Sequence, residues 1–177
     1  MPQRHIPSPF AQLLLADRVF VLSKHHAIHQ NTFWPFASIS ELNHIPLTYD
    51  SVTDTFSLKY NFAFDILFGT DLFDKTMMEK EVDHYIEVME EFGVPLDSRS
   101  SISKSDWQLF VCTLTKDPKK KQKIYSAVAK YLRESPSRVP FSDLYFADSG
   151  VHRDFQNRTV QGGIFILLLE KEGLRGD

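Results

Sequence analysis

Residues 103–136 read SKSDWQLFVCTLTKDPKKKQKIYSAVAKYLRESP, and their spacing decides the fold class. From Lys104 to about Leu114, Trp107, Phe110, Val111 and Leu114 recur three or four apart, which places them on one face of a helix of about three turns. Ser103, with Asp106 three residues on, has the spacing of a capping box with Asp in the usual Glu position. Lys116-Asp117 interrupts the pattern. Asp117 suits an N-cap, and Pro118 suits the first helical position, where proline has no hydrogen bond to lose. Ile124, Val128, Tyr131 and Leu132 carry the second helix to Ser135-Pro136, because the residue before a proline is pushed out of helical conformation. Two helices joined this tightly make a helical hairpin.

The same spacing recurs on either side. Met78, Val82, Tyr85 or Ile86, Met89 and Phe92 predict a helix over 75–92, with Asp74 as N-cap, Gly93 just past its end and Pro95 beyond. Phe56 to Phe68 is apolar at nearly every position, as in an element buried on most sides, and its length favours helix. Ile164 to Leu169 suits a buried strand or a helix, and the helical surroundings favour helix. Residues 11–24 form a further amphipathic pattern. Connections between helices starting near 56, 75, 104, 118 and 161 alternate between short (Gly69 to Asp74; Lys116-Asp117) and long (Gly93 to Ser103; Ser135 to about Gln161). Stacked hairpins produce this alternation, with turns at one end and long loops at the other. The starts near 56, 104 and 161 recur at a spacing of about 50 residues, as hairpin repeats do. All the long loops then gather on one face, and chemistry is expected there.

Composition removes several classes. The chain has 177 residues, 42% hydrophobic and 24% charged, with Lys+Arg 20 against Asp+Glu 23. A disordered tail and a nucleic-acid binder working by bulk positive charge are excluded by that balance. The longest apolar run, Ile164 to Leu169, falls far short of the roughly 20 residues of a membrane span, so a soluble chain with no membrane partner is expected. Phe10 to Ala16 is followed by Asp17 and Arg18 without a small-x-small cleavage site and reads as helix, not signal peptide. Cys112, the single cysteine, excludes an internal disulfide and sits at a buried helical position. Lys119, Lys120, Lys121 and Lys123 read as a solvated face. The seven histidines form no HExxH or His/Cys pair with metal-ligand spacing, His25-His26 and His29 make only a weak cluster on one helical stretch, and there is no GxSxG, P-loop or GxGxxG, so neither metal nor cofactor is expected. Asn157-Arg158-Thr159 is a glycosylation sequon.

Four blocks carry a specific resemblance: Ser57-Leu58-Lys59-Tyr60-Asn61 with Asp65; Gly93-Val94-Pro95-Leu96-Asp97-Ser98-Arg99 followed by Lys104-Ser105-Asp106-Trp107; Ser137-Arg138-Val139-Pro140-Phe141-Ser142-Asp143; and Phe155-Gln156 with Val160-Gln161-Gly162-Gly163. In this order and spacing, over about residues 48–170, the chain resembles the C-terminal part of the fungal glutaminase A family. Residues 1–47 match poorly and form a separate, partly helical segment, leaving 48–177 as the glutaminase A-like region. The resemblance implies a secreted hydrolase that converts L-glutamine to L-glutamate and ammonia. It also implies an all-α, six-hairpin (α/α) toroid. Six hairpins of about 50 residues need on the order of 300, so about half a ring is expected here. Leu144 stands where the family usually has Trp, which alters one wall of the pocket, and the family's upstream glutamate-rich motif is missing.

Hydrolysing a carboxamide requires a base for water, an acid for the departing ammonia and donors for the oxyanion. Asp97, Asp106 and Asp143 are the carboxylates these motifs offer. Arg99 or Arg138 suits the substrate α-carboxylate, since a guanidinium grips it with two parallel bonds. Lys104, Trp107 and Gln161 complete the substrate-binding candidates. Each residue has a structural alternative: Asp106 as helix cap, Asp97 in its own turn, Arg99 and Arg138 paired with neighbouring carboxylates, Trp107 in the core, Gly162-Gly163 for close packing, and Lys59 paired with Asp65. Two other readings compete with the glutaminase. One is a non-catalytic toroid fragment that self-associates through exposed apolar flanks. The other is a glycoside-processing toroid, since paired carboxylates also act on sugars.

Overall fold

The computed structural model describes residues 43–48, 54–137 and 141–172, all within the compact unit Leu42–Asp177. The helix expected over 11–24 and Arg138 lie outside the described residues. Five α-helices are described: α1 (Phe62–Phe68), α2 (Lys75–Glu87), α3 (Ser105–Val111), α4 (Pro118–Glu134) and α5 (Ile166–Glu172). A 3₁₀ turn, Cys112–Leu114, extends α3, and another, Thr159–Phe165, leads into α5. Helix dominates, with one addition that the sequence did not announce. Strands β1 (Ile102–Lys104) and β2 (Leu144–Phe146) pair antiparallel, with Ser103 opposite Tyr145.

Local chemistry fixes the starts of α2 and α4. The Asp74 side chain accepts from the backbone N–H of Thr76 at 2.6 Å and Met77 at 3.3 Å, and so satisfies donors that the first turn of α2 leaves open. Asp117 does the same for α4 through Lys119 N–H at 2.8 Å, with Pro118 opening the helix. Met78, Val82 and Tyr85 form the buried face of α2, and Ile124, Ala127, Val128 and Tyr131 that of α4; Leu132, expected inside, is exposed. Lys120 of α4 bonds Glu79 at 3.2 Å and Asp83 at 2.6 Å on α2, and Lys121 reaches Glu170 of α5. The lysine run therefore joins helices as well as meeting solvent.

Three expectations need correction. First, α2 ends at Glu87 and not near Phe92. Glu90 N–H donates to Gly93 O at 2.8 Å, closing a turn in which Gly93 adopts a φ of +136°. Phe92 kept the helical spacing because this turn also delivers its side chain inward. Phe92 joins Tyr131 and Tyr145, whose rings stack 3.6 Å apart. Second, the capping box does not form: Ser103 lies in β1 and donates to Val94 O, and Lys104 is the N-cap of α3. Third, Phe56 to Tyr60 is non-helical. The Ile164–Leu169 run is helical as expected but largely exposed, with Ile166 alone in it buried.

The long connectors, 88–101 and 135–158, are tied to each other. Phe92 N–H donates to Ala147 O at 2.7 Å, and Ala147 N–H to Ser101 O at 2.7 Å. At the centre Gln108, fully buried, donates to Tyr145 Oη at 2.6 Å and Ser103 Oγ at 2.7 Å, and accepts from Val94 N–H at 2.9 Å. One α3 side chain thus fixes both connectors beside the start of its own helix.

Candidate active site

The sequence candidates fall into two neighbouring groups. Asp97, Arg99 and Trp107, with Ser57, Lys59, Tyr60 and Asn61, line an open cavity of about 410 Å³. Arg99 takes up much of Asp97: its backbone N–H and Nε each donate to Asp97 Oδ1 at 2.9 Å, and Nη2 to Oδ2 at 2.7 Å. These bonds hold the Asp97 carboxyl below the usual carboxylate range, against a smaller opposing effect of burial. Two carboxylate oxygens offer about four lone-pair directions, so roughly one, on Oδ2, remains for another donor. Trp107 is half-buried and stacks on Tyr60 with ring centroids 3.8 Å apart.

The second group surrounds the N-terminus of α3. Lys104 Nζ lies 3.4 Å from Asp106 Oδ2 and 3.4 Å from Asp143 Oδ2. Asp143 sits just before β2, fully buried, and its backbone carbonyl accepts from Ser105 N–H at 3.0 Å. Arg158 grips it from the other side, Nε donating to Oδ1 at 2.9 Å and Nη2 to Oδ2. Burial drives the Asp106 carboxyl above its ordinary value, with Lys104 opposing and the neighbouring Asp143 reinforcing. Burial acts the same way on Asp143, but Arg158 and Lys104 outweigh it and hold that carboxyl low. Two adjacent carboxylates are therefore pushed apart, one toward the protonated form and one toward the ionised form. Asp106 Oδ1 is buried and has no hydrogen-bond partner. Lys104 Nζ also stands 4.9 Å from the Trp107 ring centroid, so the second group borders a wall of the cavity.

Gln161 Nε2 donates to Phe141 O at 2.9 Å and fastens the 3₁₀ turn beside this cluster. Gly163 packs so closely that a Cβ there would stand 2.9 Å from Asp106 Cβ, whereas Gly162 faces open space. Lys59 does not pair with Asp65. Its ammonium donates to Ile45 O at 3.2 Å, Ser57 O at 3.0 Å and Ser57 Oγ at 2.8 Å; Asp65 instead accepts from Thr70 Oγ1 and from Leu72 N–H at 2.8 Å, shaping the turn after α1. The buried Cys112 thiol is pushed up to about 12 by desolvation, which leaves it an inert core group. Among the described residues no cluster of three or more His, Cys, Asp or Glu has the arrangement to hold a metal ion. Sequence reasoning missed Arg158, whose only signal was its place between Phe155-Gln156 and Val160 in the fourth motif block.

Helical hairpins whose long connectors meet at the buried cluster of Lys104, Asp106, Asp143 and Arg158 define a helical-hairpin protein with a candidate functional site. The chain belongs to the glutaminase A six helical-hairpin domain family, whose sequence profile matches residues 22–168. It is 32% identical over 129 residues to "Glutaminase A" of Aspergillus oryzae (strain ATCC 42149 / RIB 40), covering 71% of this chain and 18% of that protein. It is 32% identical over 110 residues to "Probable glutaminase/05536" of Arthroderma benhamiae (strain ATCC MYA-4681 / CBS 112371), covering 60% of this chain and 13% of that protein. The chain spans less than a fifth of the length of these relatives. No solved structure matches it.

Proposed function

We propose that this domain hydrolyses the side-chain carboxamide of L-glutamine, giving L-glutamate and ammonia. Water adds to the amide carbon, its proton passes to a carboxylate, the C–N bond breaks and the nitrogen leaves as ammonia after taking a proton from an acid. Asp106 is the acid, because it is the carboxyl that burial raises above its ordinary value. Asp97, ionised at the cavity wall, is the base. Asp143 is the ionised partner that holds Lys104 beside Asp106. Arg99, Lys104 and Trp107 contact the amino-acid part of the substrate. The observation that carries the chemistry is the Lys104 ammonium placed equally between two carboxylates of opposite proton preference. The substrate comes from the family and its relatives' names. In this reading the hairpins form part of an (α/α) toroid, about half a ring.

The test is ammonia release from L-glutamine by the purified chain, with Asp97→Ala alongside. Loss of release in the variant supports the assignment; equal rates remove Asp97 from the mechanism. Turnover of an oligosaccharide in place of glutamine would select the glycoside-processing alternative. A second reading, a non-catalytic toroid fragment, is favoured by the apolar side chains exposed on helical segments: Phe64, Phe68, Phe165, Leu168 and Leu169. Self-association of the chain without ammonia release would select it.

A further inference from the structure

We infer that Arg158 is the positioning residue that decides which of the two buried carboxylates carries the proton: it grips Asp143 in the ionised form and leaves Asp106, with its unbonded Oδ1, as the proton holder. This rests on the reading of Asp106 as the acid and adds the residue that sets its protonation.

The geometry of the grip comes first. Nε and Nη2 of one guanidinium face the two oxygens of one carboxylate, with Nε to Oδ1 at 2.9 Å. A protonated Asp143 would present an O–H to one of those donors, so the fork selects the anion. Asp143 has no solvent to turn to, being fully buried.

The arm itself is held in place by an unusual stretch of backbone. Asp154, Phe155 and Asn157 all adopt left-handed φ, at +48°, +47° and +56°. That conformation is uncommon outside glycine and is costly for a bulky residue such as Phe155. The loop is pinned where Ser142 Oγ donates to Asp154 O at 2.7 Å and Asn157 N–H to Phe141 O at 2.8 Å. The Phe155 ring then lies 4.0 Å from the Arg158 guanidinium carbon. A planar guanidinium between an aromatic face and a carboxylate has little freedom left.

Asp106 supplies the third observation. Its Oδ2 has Lys104 at 3.4 Å, while Oδ1 is buried without a donor. An anionic oxygen in that position is expensive, whereas a protonated carboxyl there needs no counter-charge. Two cations thus serve two carboxylates unequally: Arg158 hydrogen-bonds Asp143 and reaches Asp106 only as the weakest of its electrostatic effects, and Lys104 is shared. Among the described residues Tyr131 of α4 is a further titratable neighbour of Asp143; its hydroxyl donates to Ser142 O at 2.6 Å and adds no positive charge. Without Arg158, Asp143 loses two donors and takes the proton, and Lys104 is left to stabilise an ionised Asp106.

The experiment is a carbon-13 NMR titration of the chain labelled at aspartate Cγ, with signals assigned by Asp106→Asn and Asp143→Asn. In the wild-type chain Asp106 should titrate above the ordinary carboxylate range and Asp143 below it. Arg158→Gln should reverse that order. Arg158→Lys, which returns the charge without the fork, should keep the order with a narrower gap, and it decides the matter alone if Arg158→Gln does not fold. A wild-type order in Arg158→Gln, or a wild-type gap in Arg158→Lys, overturns the inference. Ammonia assays on the same samples separate the two claims. A reversed order in Arg158→Gln with no release by the wild-type chain removes the hydrolase reading alone; an active wild-type chain with an unchanged order in Arg158→Gln removes the role of Arg158 alone.

Discussion

Replacing Gln108 by leucine tests how the two long connectors are held at the site. The side chain is fully buried and satisfies Val94 N–H at 2.9 Å, while its amide donates to Tyr145 Oη and Ser103 Oγ. These acceptors keep their own outlets, since Tyr145 Oη donates to Phe92 O at 2.8 Å and Ser103 Oγ donates to Val94 O. Val94 does not: it is completely buried, and its N–H is left without a partner. An orphaned buried donor costs about 1–3 kcal/mol, and losing two received hydrogen bonds adds roughly 0.5–1.5 kcal/mol each before any gain from apolar burial. With that gain offsetting part of the loss, Gln108→Leu should destabilise by about 2–4 kcal/mol, at roughly 2–4 °C of melting temperature per kcal/mol for a domain of this size. Urea unfolding followed by circular dichroism measures it. A double-mutant cycle with Tyr145→Phe should show coupling of about 0.5–3 kcal/mol, because the two groups touch. A Gln108→Leu chain as stable as wild type, or strict additivity in the cycle, would refute the reasoning.

Other outcomes follow from the same geometry. Gly163→Ala should destabilise by about 1–3 kcal/mol through overpacking, because its Cβ would meet Asp106 Cβ at 2.9 Å and the Phe110 ring at 3.1 Å, while Gly162→Ala should not, having open space; thermal melts of both variants check the contrast. Burial raises the Glu81 carboxyl, with Lys59, Tyr85 and Ile45 opposing, so the folded chain holds this proton more tightly than the unfolded one. Its contribution is full below the ordinary glutamate pKa and is lost as pH rises through the elevated value, so stability should fall across that window and fall less in Glu81→Gln, as measured by urea unfolding at a series of pH values. An identical pH slope in the variant would contradict this.

Features settled within a few residues were legible in the sequence. Asp74 and the Asp117-Pro118 pair act on backbone groups two or three residues away, so local rules suffice for both helix starts. Features settled across the chain were not. β1 and β2 are three residues each and pair over a separation of about forty, and strands that short leave no alternation to read. Phe92 kept helical spacing while serving a turn, because burial dictates hydrophobicity whatever the backbone does. At the site, motif order pointed to Asp106, Asp143 and Lys104, whose contacts lie at 3.4 Å, but residue types alone could not assign Asp106 away from a cap or Arg99 to Asp97. Those depend on which donor reaches which oxygen. Arg158 escaped for the same reason: fifteen residues separate it from Asp143, and the loop that returns it there is set by backbone conformation and by hydrogen bonds to Phe141 and Ser142.

The most direct measurement is the turnover number for ammonia release from L-glutamine in Asp106→Asn beside wild type, with thermal unfolding recorded on both. An asparagine of the same shape cannot deliver a proton to the leaving nitrogen, so turnover should fall by about 10²–10⁴-fold with the fold retained. A folded Asp106→Asn chain that releases ammonia at the wild-type rate would contradict the account.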